Sequence, residues 1–197
     1  MVDHRPSYHA KTLEDWRAWL LQNHHKEQFI WLIIYHKESE TPSVYYDEAV
    51  DEALCFGWID SKPNKRDQES YFQFFSKRNP KSNWSKVNKV KVARLIKENR
   101  MHESGLAMVE EAKKSGTWDA LNDVDNLIVP NDLQEALKSV PKAAQYFDDF
   151  PKSVRRGILE WIFNAKKPET RKKRIEETAS LAGENIRANQ YRQPKSK

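Results

Sequence analysis

The hydrophobic positions along this chain change period several times, and each change marks an element. Leu13, Trp16, Leu20 and Leu21, with Trp19 beside them, form one apolar stripe at helical spacing. Thr12, followed three residues later by Asp15, approximates a capping box, and the helix should end near Asn23 and His24. Phe29 to Tyr35 (FIWLIIY) is a short apolar run rich in β-branched and aromatic residues, which predicts a strand buried on both faces. A second helix opens near Asp47. Ala49, Val50, Ala53 and Leu54 form its apolar face, and Glu48, Asp51 and Glu52 read as an acidic, solvated one. Gly57 is placed to stop it in the left-handed conformation. A strand from Trp58, a polar turn over 63–69 and a returning strand from Tyr71 to Phe75 then make a hairpin.

From there the pattern is helical. Ser82 or Ser85 caps a third helix over Trp84, Val87, Val92, Leu95 and Ile96, and Asn99-Arg100 breaks it. A fourth, Glu103 to Ser115, buries Leu106, Val109 and Ala112 and ends at Gly116, with Trp118 as a packing anchor. Residues 119–131 read as an irregular acidic connector. Helices over 132–139, 141–147 and 153–165 follow, and Pro168 suits the first position of a last helix ending near Gly183. The fold class is α+β: a small antiparallel-type sheet of about three strands packed by helices, then an all-helical C-terminal unit. The expected domains are residues 1–125, an α+β domain, and 126–189, a helical one, with a disordered tail over 190–197.

Composition sharpens this picture in two places. Charged residues make up 32% of the 197 positions, and the net charge of +5 is unevenly distributed. Residues 1–60 carry −6, 61–114 carry +8, 115–150 carry −5 and 151–197 carry +8. Opposite blocks can neutralise one another within the fold, or two basic faces can meet an anionic partner. The single Cys excludes an intrachain disulfide framework and a cysteine zinc cluster. It fits a reducing compartment. No secretory signal opens the chain and no apolar run is long enough to span a membrane, so a cytoplasmic location is expected.

Candidate chemistry concentrates between Cys55 and Asn88. Strict alternation would put Trp58, Asp60 and Lys62 on one face of their strand. A ligand pocket would then use Trp58 and Trp84 as walls, Asp60 to orient, and Arg78 as an anion fork. Ser82 and Asn88 would contribute at a helix start beside it. The same residues also admit a purely structural account, an Asp60–Arg78 ion pair with serine caps. In the C-terminal helices Arg155, Arg156, Lys167, Arg171 and Arg174 are a candidate basic patch, for nucleic acid or simply for solvent. Nothing in the spacing assigns a catalytic residue, a metal site or a cofactor. Cys55, between Leu54 and Phe56, reads as a buried small hydrophobe. Five scattered glycines argue against a phosphate-cradling loop.

Two blocks carry a family resemblance. One is GWIDSKPNKRD with YFQFFSKRNPKSNWSKVN, residues 57–67 and 71–88. The other is VPNDLQEAL with FPKSVRRGILEWIFNAKKPETRKKRI, residues 129–137 and 150–175. Together, from about Trp16 to Gly183, they resemble the YdeI/OmpD-associated family, also called bacteriocin-protection proteins. The resemblance implies an N-terminal α+β unit and a C-terminal helical unit. It carries over no established activity. Asn99 stands where a Gly is common, which favours a less sharply broken connection here. The resulting expectation is a non-catalytic cytoplasmic protein that binds a small anionic ligand or a protein partner and serves envelope or antimicrobial-stress tolerance. The alternatives are a small-molecule binder or hydrolase using Trp58, Asp60, Arg78 and Trp84, and, less favoured, a nucleic-acid binder using the C-terminal basic helices.

Overall fold

The computed structural model describes residues 6–190. The chain divides into two compact units, the first ending at Ala120 and the second starting at Leu121. The tail expected over 190–197 lies, apart from Gln190, outside the described residues. In chain order the first unit contains β1 (Ser7–His9), α1 (Leu13–Asn23), β2 (Phe29–Tyr35), α2 (Tyr46–Cys55), β3 (Trp58–Lys65), β4 (Ser70–Lys77), α3 (Lys86–Lys97) and α4 (Glu103–Ser115). The second contains α5 (Asn122–Asp125), α6 (Asn131–Ser139), α7 (Ala143–Asp149), α8 (Lys152–Phe163) and α9 (Pro168–Gly183). The architecture is α+β, followed by an all-helical region. Among the described residues no helix is long and apolar enough to cross a membrane.

The sheet has four strands in the order β1-β2-β4-β3, one more than the hydrophobic pattern predicts. The additional strand, β1, runs parallel to β2, with Tyr8 opposite Leu32; β2–β4 and β4–β3 are antiparallel. Three residues, one of them exposed, leave no period to read, which is why β1 was missed. The even positions of β2, Ile30, Leu32 and Ile34, face the core together with Phe75, Trp16 and Trp58. Trp16 anchors α1 to α2 by donating from Nε1 to the Ala49 carbonyl at 3.1 Å. The Thr12 box is present: Thr12 Oγ1 accepts from Asp15 N, and Asp15 Oδ2 accepts from Thr12 N.

Two glycines shape the end of α2. Gly57 takes φ +75° and turns the chain into β3. Gly105 lets the first turn of α4 lie against that same corner: a Cβ there would sit 2.1 Å from the Cys55 carbonyl oxygen. The His102 N–H donates to that carbonyl at 3.0 Å.

Four local expectations need correction. Asp51 and Glu52 are not on a solvated face: they are 8% and 1% exposed. Glu52 accepts from Arg17 of α1 and from Arg100, the latter at 2.8 Å; Asp51 accepts from Lys91 at 2.7 Å and from Arg94. Burial pushes the Asp51 carboxyl up, but the bonds from Lys91 and Arg94 outweigh it and hold the group below its ordinary value. Second, α3 buries Val92 and Leu95 but leaves Val87 and Ile96 exposed, and Leu106 of α4 is also exposed. Third, Asn99 takes φ +54°, so the break after α3 is as sharp as a glycine would make it. Fourth, residues 119–131 are not irregular throughout: they contain α5, with Leu121 and Val124 buried in the core of the second unit.

The charge blocks neutralise one another within each unit. Acidic groups of α2 meet basic groups of α3 and Arg100, and Asp125, Asp132 and Asp148 meet Arg156, Arg171 and Arg155. This yields a test. Arg17→Met and Arg100→Met each leave Glu52 one partner and should cost about 1 kcal/mol. The double variant strands a buried carboxylate and should cost roughly 3–5 kcal/mol in urea unfolding, more than the two singles together. An additive loss below about 2 kcal/mol would contradict this role.

Candidate functional site

The hairpin and the segments that close on it build a cleft of about 580 Å³ in the first unit. Trp58 opens β3 and lies opposite Lys77, the last residue of β4. The ladder continues one bond further, because the Arg78 N–H donates to the Gly57 carbonyl at 3.0 Å. The chain then turns at Asn79-Pro80, where Asn79 Oδ1 accepts from Lys81 N at 2.9 Å. Gly57, Trp58, Lys77 and Arg78 make one wall of the cleft, with Asn79 and Pro80 at its end. His24, His25 and Gln28, between α1 and β2, make the second wall. Phe56 and the first turns of α4, through Ser104 and Met108, complete it. Among the described residues, no aspartate or glutamate lines it.

Arg78 is the unusual member. It is 5% exposed, and no carboxylate pairs with it among the described residues. Its guanidinium lies 3.8 Å from the centre of the Trp84 ring, and Nη2 donates to the Asn83 carbonyl at 2.5 Å. Its Nε–H is buried without an acceptor, and so is the Nε1–H of Trp58. Burial pushes the guanidinium down to about 10, so it is still a cation at neutral pH. Trp84 is held in turn by Trp118, with ring centres 5.0 Å apart, and by its own N–H, which donates to the Thr117 carbonyl.

Of the residues expected to form a pocket, Trp58 and Arg78 line the cleft and Trp84 supports Arg78 from the side. Asp60 is elsewhere. Trp58 and Asp60 lie in one unbroken register, opposite Lys77 and Phe75, and the β-bulge between Asp60 and Pro63 follows them, so it bears only on Lys62. Asp60 Oδ2 accepts from the Tyr46 hydroxyl at 2.7 Å, and the expected Asp60–Arg78 pair does not form. Burial, together with that bond, raises Tyr46 well above its ordinary value. Ser82 sits in the turn, donating to the Asn79 carbonyl, while Ser85 caps α3 by accepting from Asn88 N; neither Ser82 nor Asn88 lines the cleft.

The cleft residues that sequence reasoning missed are the histidine and serine edges. His24-His25 reads as the end of a helix, and His24 does cap α1, but its ring also packs at an angle against Phe56 and His102. His102 Nδ1 accepts from Ser104 N at 3.2 Å, and the Ser104 hydroxyl donates to the Phe56 carbonyl. Nothing in the local pattern around Ser104 announces this. Cys55, behind the cleft, is fully buried, which pushes its thiol up to about 12 and leaves it inert.

The candidate basic patch lies on α8 and α9. Arg155 pairs with Asp148 at 3.6 Å, Arg156 with Asp125 and Glu160, and Arg171 bidentately with Asp132. Arg174 donates to the Trp161 carbonyl and stacks on its ring, and Lys167 is an exposed residue just before α9. Four of the five are thus engaged within the unit.

Fold and site together define a two-unit α+β protein with an acid-free, cation-lined cleft in its first unit. Residues 8–108 match the family model described as a domain of unknown function (DUF8412), and this half of the chain places it in that family. Residues 126–185 match the model described as bacteriocin-protection, YdeI or OmpD-associated, so the helical unit carries that domain. The resemblance seen in the sequence therefore holds, with its match in the C-terminal block. No curated protein and no solved structure matches the chain.

The histidine edge has a measurable consequence. Burial, and then the neighbouring His24, hold His102 below its ordinary value of 6.5. The unfolded chain then takes up the proton first, so this contribution is complete above pH 6.5 and is lost as the pH falls through the folded-state value. His102→Asn keeps a capping acceptor. It should flatten the dependence of Tm on pH below 6.5. An unchanged slope would remove His102 as its source.

Proposed function

We propose that this protein is a non-catalytic binder of a small anionic ligand, held against Arg78 in the cleft of the first unit. The observation that carries the reading is a buried guanidinium with no carboxylate partner, lining an open cleft that contains no acid. A buried, unpaired cation is costly, and so is a buried N–H without an acceptor. An anion entering the cleft relieves both costs. Asp60, the carboxylate on which a hydrolytic reading depended, is engaged by Tyr46 and takes no part in the cleft, which favours binding over hydrolysis.

A role in tolerance of antimicrobial or envelope stress, exercised in the cytoplasm, is the broader setting we propose. Its support is the description of the family matched by the second unit. Nucleic acid is the less favoured partner, because the arginines of α8 and α9 are satisfied by their own carboxylates and carbonyls.

A thermal-shift screen of small anions, with ammonium compounds as controls, tests the binding role. At least one anion class should stabilise the protein saturably, by about 2.7 kcal/mol at one hundred times its Kd. Arg78→Met should abolish that response, and its own Tm should equal or exceed that of the wild type, since it removes an uncompensated buried charge. A large drop in Tm with the anion response intact would make Arg78 a structural residue and refute the proposal.

A further inference from the structure

A second cleft of the first unit, of about 390 Å³, opens where β2 ends and α2 begins. Its walls are aromatic. Tyr45 and Tyr46, both exposed, start α2, and Tyr71 comes from β4, where it lies opposite Ile34. The His36 ring, also in the wall, stacks on Tyr71 with 5.6 Å between centres. Tyr46 is fixed by donating its hydroxyl to Asp60, and a bond to a carboxylate leaves the phenol richer in electrons. Tyr35 lines the cleft as well, but its ring serves His9, 4.9 Å away, and Arg66, 5.8 Å from its centre.

Acids dominate the charges here, unlike those of the cleft at Arg78. Asp47 and Glu48 line the cleft against a single ammonium, that of Lys37, and Asp60 adds a third carboxylate at the Tyr46 hydroxyl. The start of α2, which favours anions, is already answered by those two acids in its first turn. The Lys37 ammonium lies 5.6 Å from the centre of the Tyr45 ring, and among the described residues no carboxylate pairs with it. The one ammonium in this wall thus sits over a ring face rather than on either acid, so the Tyr45 face is open to a cation from the cleft side. A primary ammonium is strongly hydrated, whereas an alkylated one leaves water more readily and rests on ring faces without N–H partners. We infer that this cleft binds a small alkylammonium cation against the Tyr45 ring, walled by Tyr46 and Tyr71, in the field of Asp47 and Glu48, and that Lys37 competes with it for the ring. The inference is independent of the anion reading of the cleft at Arg78.

Isothermal titration of the full chain with choline tests this, beside the neutral isostere in which a tert-butyl group replaces the trimethylammonium. Choline should bind saturably, and the isostere at least about tenfold more weakly, because it keeps the shape and loses the charge. Tyr45→Phe keeps the ring and should keep the binding, whereas Tyr45→Leu should weaken it about tenfold. Lys37→Gln should tighten it about threefold by freeing the ring. Both positions are exposed, so neither change should lower Tm. Ammonium compounds, the controls for the anion cleft, are ligands here; Tyr45→Leu separates the two sites, since it should leave the response to anions unchanged. The assignment is overturned if choline does not bind, if the isostere binds as tightly, if Tyr45→Leu leaves choline binding intact, or if Lys37→Gln abolishes it.

Discussion

Helix α2 carries two adjacent carboxylates into the interior of the first unit, and the helices around it are arranged to meet them. Glu52 gathers Arg17 from α1 and Arg100 from the connection between α3 and α4; Asp51 gathers Lys91 and Arg94 from α3. Removing a charge from water costs several kcal/mol, so these carboxylates are tolerable only where opposite charges and donors are at hand. The requirement fixes how α1, α3 and the start of α4 lie on α2. The close approach at Gly105 then seats α4 against the corner at Gly57, and that corner is the floor of the cleft.

Against this background Arg78 is an exception. The buried charged residues among those described are Asp51, Glu52 and Arg78, and only Arg78 lacks an opposite charge. Its support is a tryptophan face and one carbonyl. The unit that satisfies two buried acids with four cations leaves one buried cation, Arg78, without an opposite charge in a residue that lines the cleft. Strain and unmet hydrogen bonds of this kind concentrate where a ligand completes them, at a cost in stability while the site is empty.

Most of the fold was legible in the sequence because its elements are long and strongly periodic. The run Phe29–Tyr35, the box at Thr12-Asp15, the stop at Gly57 and the proline start of α9 each declare themselves locally. What could not be read was non-local. The acids of α2 look like a solvated face until the cations of three other segments are folded onto them. β1 is too short to show a period and exists only because β2 offers it an edge. At the site, Trp58 and Arg78 stood out by composition, but Asp60, two residues along β3 from Trp58, is taken up by Tyr46 of α2, a partner distant in sequence. The histidine wall and Ser104 reach the cleft through tertiary packing, with no signal in their own neighbourhood.

The central claim is that Arg78, buried in the cleft wall without an opposite charge, is there for an anion. It is tested most directly by following the Arg78 Nε–H resonance in a proton–nitrogen spectrum while the anion that stabilises the protein is titrated in, with Arg78→Met supplying the assignment. The resonance should move and saturate with the binding curve. A resonance that stays fixed while the anion binds and shifts signals elsewhere would contradict the account.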